Sequence, residues 1–128
     1  MGLYDMIMLK DNHIDFCGSI KKAIRQANQY RAAIKPPIPL LVEARDMKEV
    51  YAILEEGGID RIMLDNFSVD EVGQAVKEIN GKLPLEATGG ITMDNIRDYA
   101  ETGVDYVSSG LMTHSFKIID VSLKANLG

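Results

Sequence analysis

Tryptophan is absent, cysteine occurs once and histidine only twice in these 128 residues. The lone thiol, Cys17, excludes an internal disulfide framework and is what a reducing compartment permits, so a cytoplasmic location is expected. His13 and His114 have no metal-ligand spacing to each other or to Cys17, which reads as a small, semi-buried side chain. No apolar run approaches the ~18 residues of a membrane helix. The segment Met1-Gly2-Leu3-Tyr4-Asp5 also lacks the basic flank and apolar block of a signal peptide, so no membrane partner is expected. Basic residues are outnumbered: 14 Lys plus Arg against 19 Asp plus Glu give a net charge of −5, and Lys21-Lys22 is the longest basic run. A broad nucleic-acid-binding face is thereby excluded, and an anionic ligand must be held locally. Nucleophile elbow, Walker loop and dinucleotide fingerprint are all missing.

What is present is an ordinary globular composition, 46% hydrophobic and 26% charged, with length for a single domain over residues 1–128. Apolar runs of strand length alternate with amphipathic helical patterns, the sequence form of parallel βα repeats. The predicted strands are Met6 to Leu9, Ile38 to Val42, Ile59 to Leu64, Leu83 to Ala87, Val104 to Ser108 and Ile118 to Leu123. Between them Ile20, Ala23, Ile24, Ala27 and Tyr30 recur at helical spacing, followed by Met47, Val50 and Leu54, then Val69, Val72, Val76 and Ile79. Asp46 with Glu49, Ser68 with Glu71 and Thr92 with Asn95 mark helix starts, and Gly57, Gly81 and Gly103 mark their ends. Lys35-Pro36-Pro37 reads as a connection within the domain.

The strand ends at Glu43, Asp65, Thr88 and Ser109 are separated by 22, 23 and 21 residues, one compact βα unit each. A leucine-rich solenoid shares that period but requires leucine and asparagine at fixed offsets that these segments lack. Five or six units exceed half of a (β/α)8 barrel and fall short of closure. The expected fold is α/β, with parallel βα repeats forming most of an open, incomplete α/β barrel or an open layered sheet.

Ligands in such folds bind at the carboxyl ends of the strands. Lys10, Glu43, Asp65, Thr88-Gly89-Gly90 and Ser108-Ser109-Gly110 fall there, gathering one cation, two carboxylates and two glycine turns. The two turns suit phosphate, because glycine lets backbone N–H groups approach an anion; the same glycines also serve plain strand-to-helix turns. Glu43 and Asp65 could bind Mg²⁺, hold sugar hydroxyls or stabilise positive charge developing on a sugar. A surface ion pair with Arg45 would equally explain Glu43, and a solvated side chain would explain Lys10.

Gly2-Leu3-Tyr4-Asp5, Leu9-Lys10-Asp11-Asn12-His13, Leu64-Asp65-Asn66-Phe67, Glu86-Ala87-Thr88-Gly89-Gly90-Ile91 and Thr113-His114-Ser115 together resemble quinolinate phosphoribosyltransferase, the carboxylating nicotinate-nucleotide pyrophosphorylase of NAD biosynthesis. The resemblance covers nearly the whole chain but only the later part of the family's. It implies most of an open barrel that an N-terminal sandwich domain and the first barrel elements precede in the family. The activity implied is transfer of phosphoribose from phosphoribosyl pyrophosphate to quinolinate with Mg²⁺, releasing pyrophosphate and CO2 and leaving nicotinate mononucleotide, in a homo-oligomer that is a dimer in the family.

By that resemblance Lys10 faces quinolinate and the phosphosugar, and Glu43 and Asp65 serve the ribose, the Mg²⁺ and the cationic transition state. Thr88, Gly89, Gly90, Ser109 and Gly110 bind the 5′-phosphate, with His114 near that loop. Three departures stand out. Leu41-Val42-Glu43 keeps only the second acid of a common Glu-x-Glu, Thr88 replaces a commoner serine, and the chain begins at the third position of a His-Arg-x-Gly-Leu motif. The arginine of that motif and the sandwich-domain cations grip quinolinate in the family, so this chain alone is expected to bind quinolinate poorly and to have little activity. Another phosphosugar-binding barrel, such as the related molybdenum-associated protein, and a non-catalytic fragment acting in assembly are the competing readings.

Overall fold

Alternating apolar runs and capped amphipathic segments become strands and helices in a computed structural model describing residues 6–10, 14, 18–33, 38–108 and, as backbone, 115–117. Residues 1–5, Asp11 to His13, Cys17, Pro36 and Pro37, Ser109, Gly110, His114 and Ile118 to Leu123 lie outside the described residues. Two compact units, Met1–Ile62 and Met63–Gly128, meet within strand β3, Arg61–Asp65.

The first unit holds β1 (Ile7–Leu9), α1 (Ile20–Ala32), β2 (Leu40–Ala44), α2 (Met47–Glu56) and the start of β3. β1 and β2 pair in parallel, from Ile7 opposite Leu40 to Leu9 opposite Val42. Ile20, Ala23, Ile24 and Ala27 form the buried stripe of α1, which packs on both strands and on α2. The expected cap is present on α2, where the Asp46 carboxylate accepts the Glu49 N–H at 2.9 Å. Gly57 ends that helix at φ +68°, a conformation that glycine adopts without the Cβ penalty.

In the second unit β3 is followed by α3 (Val69–Ile79), β4 (Leu85–Thr88), α4 (Ile96–Ala100), β5 (Tyr106–Ser108) and β6 (Ser115–Lys117). The strands neighbour one another in chain order, with β4 and β5 parallel. Ser68 and Glu71 form the full capping box expected for α3, which ends on left-handed Asn80 with Gly81 next at φ +77°. Val72, Ala75 and Ile79 are its buried face.

Both units begin their strands with the same device. Asp60, just before β3, accepts the Leu40 N–H at 2.7 Å and returns its own N–H to the Leu40 carbonyl at 2.8 Å. Asp105, just before β5, does the same with Leu85, at 2.9 and 3.1 Å. The repeated Gly-x-Ile-Asp and Gly-Val-Asp segments, Gly57 to Asp60 and Gly103 to Asp105, thus fix where one parallel strand starts beside the preceding one.

Strands in chain order, the first four each followed by a helix, form the open sheet expected of an incomplete α/β barrel. Strand starts lie one or two residues later than expected, and β2, β3 and β4 also end one or two residues later, which places Glu43, Asp65 and Thr88 within their strands. β6 breaks the parallel series, running antiparallel to β5 with Val107 opposite Phe116. The six residues between the two strands are too few for a helical crossover, which takes about a dozen.

Candidate functional site

In the first unit, Lys10 and Glu43 occupy the register step after the Leu9–Val42 pair, at the carboxyl ends of adjacent parallel strands. Lys10 is exposed, and its carbonyl accepts the Ile14 N–H at 3.1 Å. Glu43 is half-buried within β2. Arg45 grips Glu49, its Nη2 lying 2.8 Å from Oε2.

In the second unit, the carboxyl ends of β3 and β4 come together. The Asn66 N–H donates to the Thr88 carbonyl at 2.8 Å, carrying the pairing one residue beyond β3, and Asn66 turns left-handed at φ +59°. Gly89 and Gly90 follow at φ +78° and +69°. A Cβ on Gly89 would stand 3.0 Å from the Asn66 nitrogen and 3.1 Å from Asp65 Oδ1; one on Gly90 would stand 3.2 Å from Asn66 Oδ1. Glycine is required at Gly89 for its backbone conformation and for this close approach together. The Asp65 carboxylate consequently lies against the turn, while Thr88 Oγ1 reaches the Leu64 carbonyl at 3.5 Å, the outer limit of a hydrogen bond.

The helix expected at Thr92 starts at Ile96 and is only five residues long. Half of the expected reciprocal cap exists: Asn95 Oδ1 accepts the Thr92 N–H at 2.7 Å. The other half is replaced, because the Asn95 N–H donates to the Thr92 carbonyl at 3.3 Å, while Asn95 Nδ2 donates to the Gly90 carbonyl at 3.0 Å and the chain bends before it coils. Any phosphate affinity of this loop therefore rests on its glycine backbone, not on a long helix dipole.

Two contributors carried no signal in the periodicity. Glu86 is the buried charged residue of β4, 3% exposed, and receives the Ser108 hydroxyl at 2.5 Å. An acid inside the apolar run Leu83 to Ala87 is the mark that could have singled it out. The Tyr99 hydroxyl, on α4, donates to the Phe67 carbonyl at 2.8 Å and anchors the segment after Asp65.

Among the described residues no three of His, Cys, Asp and Glu stand together as a metal cage. Mg²⁺ commonly takes one or two carboxylates and completes its octahedron with substrate phosphates and water. Among the described residues, Asp65 offers a carboxylate oxygen of this kind at the Gly89 turn.

A carboxylate pressed against a Gly-Gly turn offers a phosphate the turn's N–H groups and offers a sugar a hydrogen-bond acceptor. At 41% identity the chain is similar to quinolinate phosphoribosyltransferase (decarboxylating) 2, mitochondrial, of Nicotiana glauca, over 97% of this chain and 39% of that one. It is 40% identical to a probable nicotinate-nucleotide pyrophosphorylase (carboxylating) of Bacillus subtilis, covering 98% of this chain and 42% of the relative. The crystal structure of nicotinate-nucleotide pyrophosphorylase from Ehrlichia chaffeensis superposes with a TM-score of 0.73 at 37% identity, over 88% of this chain and 39% of that one. The chain thus spans about two fifths of the length of these relatives. Residues 1–124 match the family described as quinolinate phosphoribosyl transferase, C-terminal domain, and it is to this family that the chain belongs.

Proposed function

We propose that this chain supplies the phosphosugar-binding part of a site that transfers phosphoribose to quinolinate. The Asp65 carboxylate lying against the Gly89-Gly90 turn carries the reading, because it sets an acceptor for ribose beside a backbone seat for the 5′-phosphate. Thr88, at the end of β4, adds a hydroxyl at the same rim. Lys10 and Glu43, at the ends of β1 and β2, face the pyridine dicarboxylate and the ribose in this reading.

In the reaction proposed, the quinolinate nitrogen forms a bond to the anomeric carbon as pyrophosphate leaves with the electron pair of the broken C–O bond. The sugar is oxocarbenium-like between these events, and fixed carboxylates such as Asp65 stabilise its positive charge. The positive charge of the resulting pyridinium nitrogen then stabilises the electron pair left on the adjacent ring carbon as its carboxylate departs as CO2, and a proton bonds to that pair. Asp65 is the carboxylate that would help hold a Mg²⁺, which when bound would supply charge neutralisation for the leaving pyrophosphate.

The relatives are more than twice as long as this chain, so the cations that hold quinolinate are assigned in this reading to the remainder of such an enzyme or to a partner subunit of a homo-oligomer. The proposed location is cytoplasmic. Titration calorimetry with phosphoribosyl pyrophosphate and Mg²⁺ tests the core of the proposal. The chain should bind the phosphosugar, a folded Gly90→Asp variant should lose that binding, and quinolinate alone should give no heat. Absence of phosphoribosyl pyrophosphate binding by the parent chain would sink the reading. Formation of nicotinate mononucleotide by the isolated chain would overturn the assignment of the quinolinate grip elsewhere.

A further inference from the structure

Asn95 stands at the N-cap position of α4, yet its side chain makes no cap bond to that helix. Its carboxamide is instead spent on the loop before it. Oδ1 accepts the Thr92 N–H at 2.7 Å and Nδ2 donates to the Gly90 carbonyl at 3.0 Å. One planar group thereby fixes a donor and an acceptor two residues apart and holds the peptide planes from Gly90 to Thr92.

The consequence is specific to a turn that receives an anion. Gly89 and Gly90, both at positive φ, are the residues whose peptides rotate most freely, so nothing intrinsic to them selects which way their carbonyls point. A carbonyl oxygen turned toward a phosphate would repel it, whereas the same peptide held the other way presents its N–H, which for the Gly90 carbonyl is the N–H of Ile91. Asn95 holds the Gly90 carbonyl to itself. Four residues along, Tyr99 holds the Phe67 carbonyl at 2.8 Å. The short helix therefore anchors both rims of the Asp65–Gly90 cradle, the one after β3 and the one after β4.

We propose that Asn95 is a positioning residue for phosphate binding, setting the orientation of the Gly90–Ile91 peptide that follows the Gly89-Gly90 turn without touching the ligand. The proposal rests on the phosphosugar reading above. Preorganisation of this kind appears in affinity, because a turn that must be ordered at the moment of binding subtracts that cost from the contact.

The test uses the full chain, with inorganic phosphate and phosphoribosyl pyrophosphate as probes. Asn95→Ala should lower the affinity for both about tenfold, the scale of one lost intramolecular hydrogen bond. It should also move the Ile91 and Thr92 amide resonances of the free protein. Asp46→Ala, which removes the cap of α2 in the first unit, should lower thermal stability while leaving affinity and those resonances unchanged. Asn95→Asp keeps the acceptor for the Thr92 N–H and loses the donor to Gly90, so it should weaken binding as well and serves if the alanine variant does not fold. Parent-like affinity in a folded Asn95 variant, or an equal loss in Asp46→Ala, would overturn the positioning role. A parent chain that binds neither probe would overturn the phosphosugar reading and this proposal with it, an outcome distinct from binding that is indifferent to Asn95.

Discussion

Gly89 shows how one residue couples conformation to site geometry. Any side chain there meets two separate penalties: φ +78° is left-handed, and a Cβ would press on Asn66 N and Asp65 Oδ1 at 3.0 and 3.1 Å. Gly81 has the first without the second, since at φ +77° nothing lies within 4 Å of its would-be Cβ. Gly81→Ala should therefore cost about 1–2 kcal/mol, the price of the left-handed backbone alone. Gly89→Ala should cost more and should displace the Asp65 carboxylate, abolishing phosphosugar binding. Urea denaturation of both variants beside titration of each checks this, and equal losses of stability would show that the approach of the turn to Asp65 is looser than described. The glycine pair was legible as a candidate phosphate turn because the requirement is local. Asn95's second bond was not, because its partner is a carbonyl, a group every residue carries.

Among the elements, the strand starts give the clearest case of one side chain setting register. Asp105 and Asp60 each bracket the first residue of the preceding strand through a carboxylate and a backbone N–H. Asp60 also pairs with Arg31 at 2.5 Å, and Arg31 reaches the Ile38 and Gly58 carbonyls at 3.1 and 2.9 Å. Removing Asp105 with alanine leaves the part-buried Leu85 N–H unpaired and should destabilise by about 1–3 kcal/mol. Asp60→Ala should exceed that value, because Arg31 loses its ion pair in the same stroke. Thermal unfolding measures both; a change within about 0.5 kcal/mol for Asp105→Ala, the range of an ordinary surface position, would remove the bracket from the account. The caps at Asp46 and Ser68 were readable in advance since donor and acceptor lie three residues apart. The Asp105–Leu85 and Tyr99–Phe67 bonds join residues 20 and 32 positions apart, a separation that periodicity does not encode. β6 escaped for another reason: a hairpin partner for β5 needs only a short turn, while the reading was set on 20-residue βα periods.

At the scale of the whole molecule, the governing fact is a chain of net charge −5 proposed to hold a polyanion. Long-range attraction cannot assist such binding; the mean field opposes it, and only short-range groups supply affinity. The second unit offers glycine N–H groups and a hydroxyl at its rim, whose pull acts over hydrogen-bond distances and is little screened by salt. An arginine or lysine cluster would behave differently, losing affinity steeply as screening shortens the Debye length from about 14 to 6 Å between 0.05 and 0.3 M ionic strength. The affinity for phosphoribosyl pyrophosphate at saturating Mg²⁺ should accordingly stay level or rise slightly over that range, because salt weakens the opposing field while leaving the backbone contacts in place. Calorimetry in potassium chloride decides it, and the Lys10→Ala variant identifies the source of any deviation. A tenfold fall with salt that disappears in Lys10→Ala would show that the β1 lysine, not the Gly89-Gly90 turn, holds the ligand, and the weight of the proposed site would move from the second unit to the first.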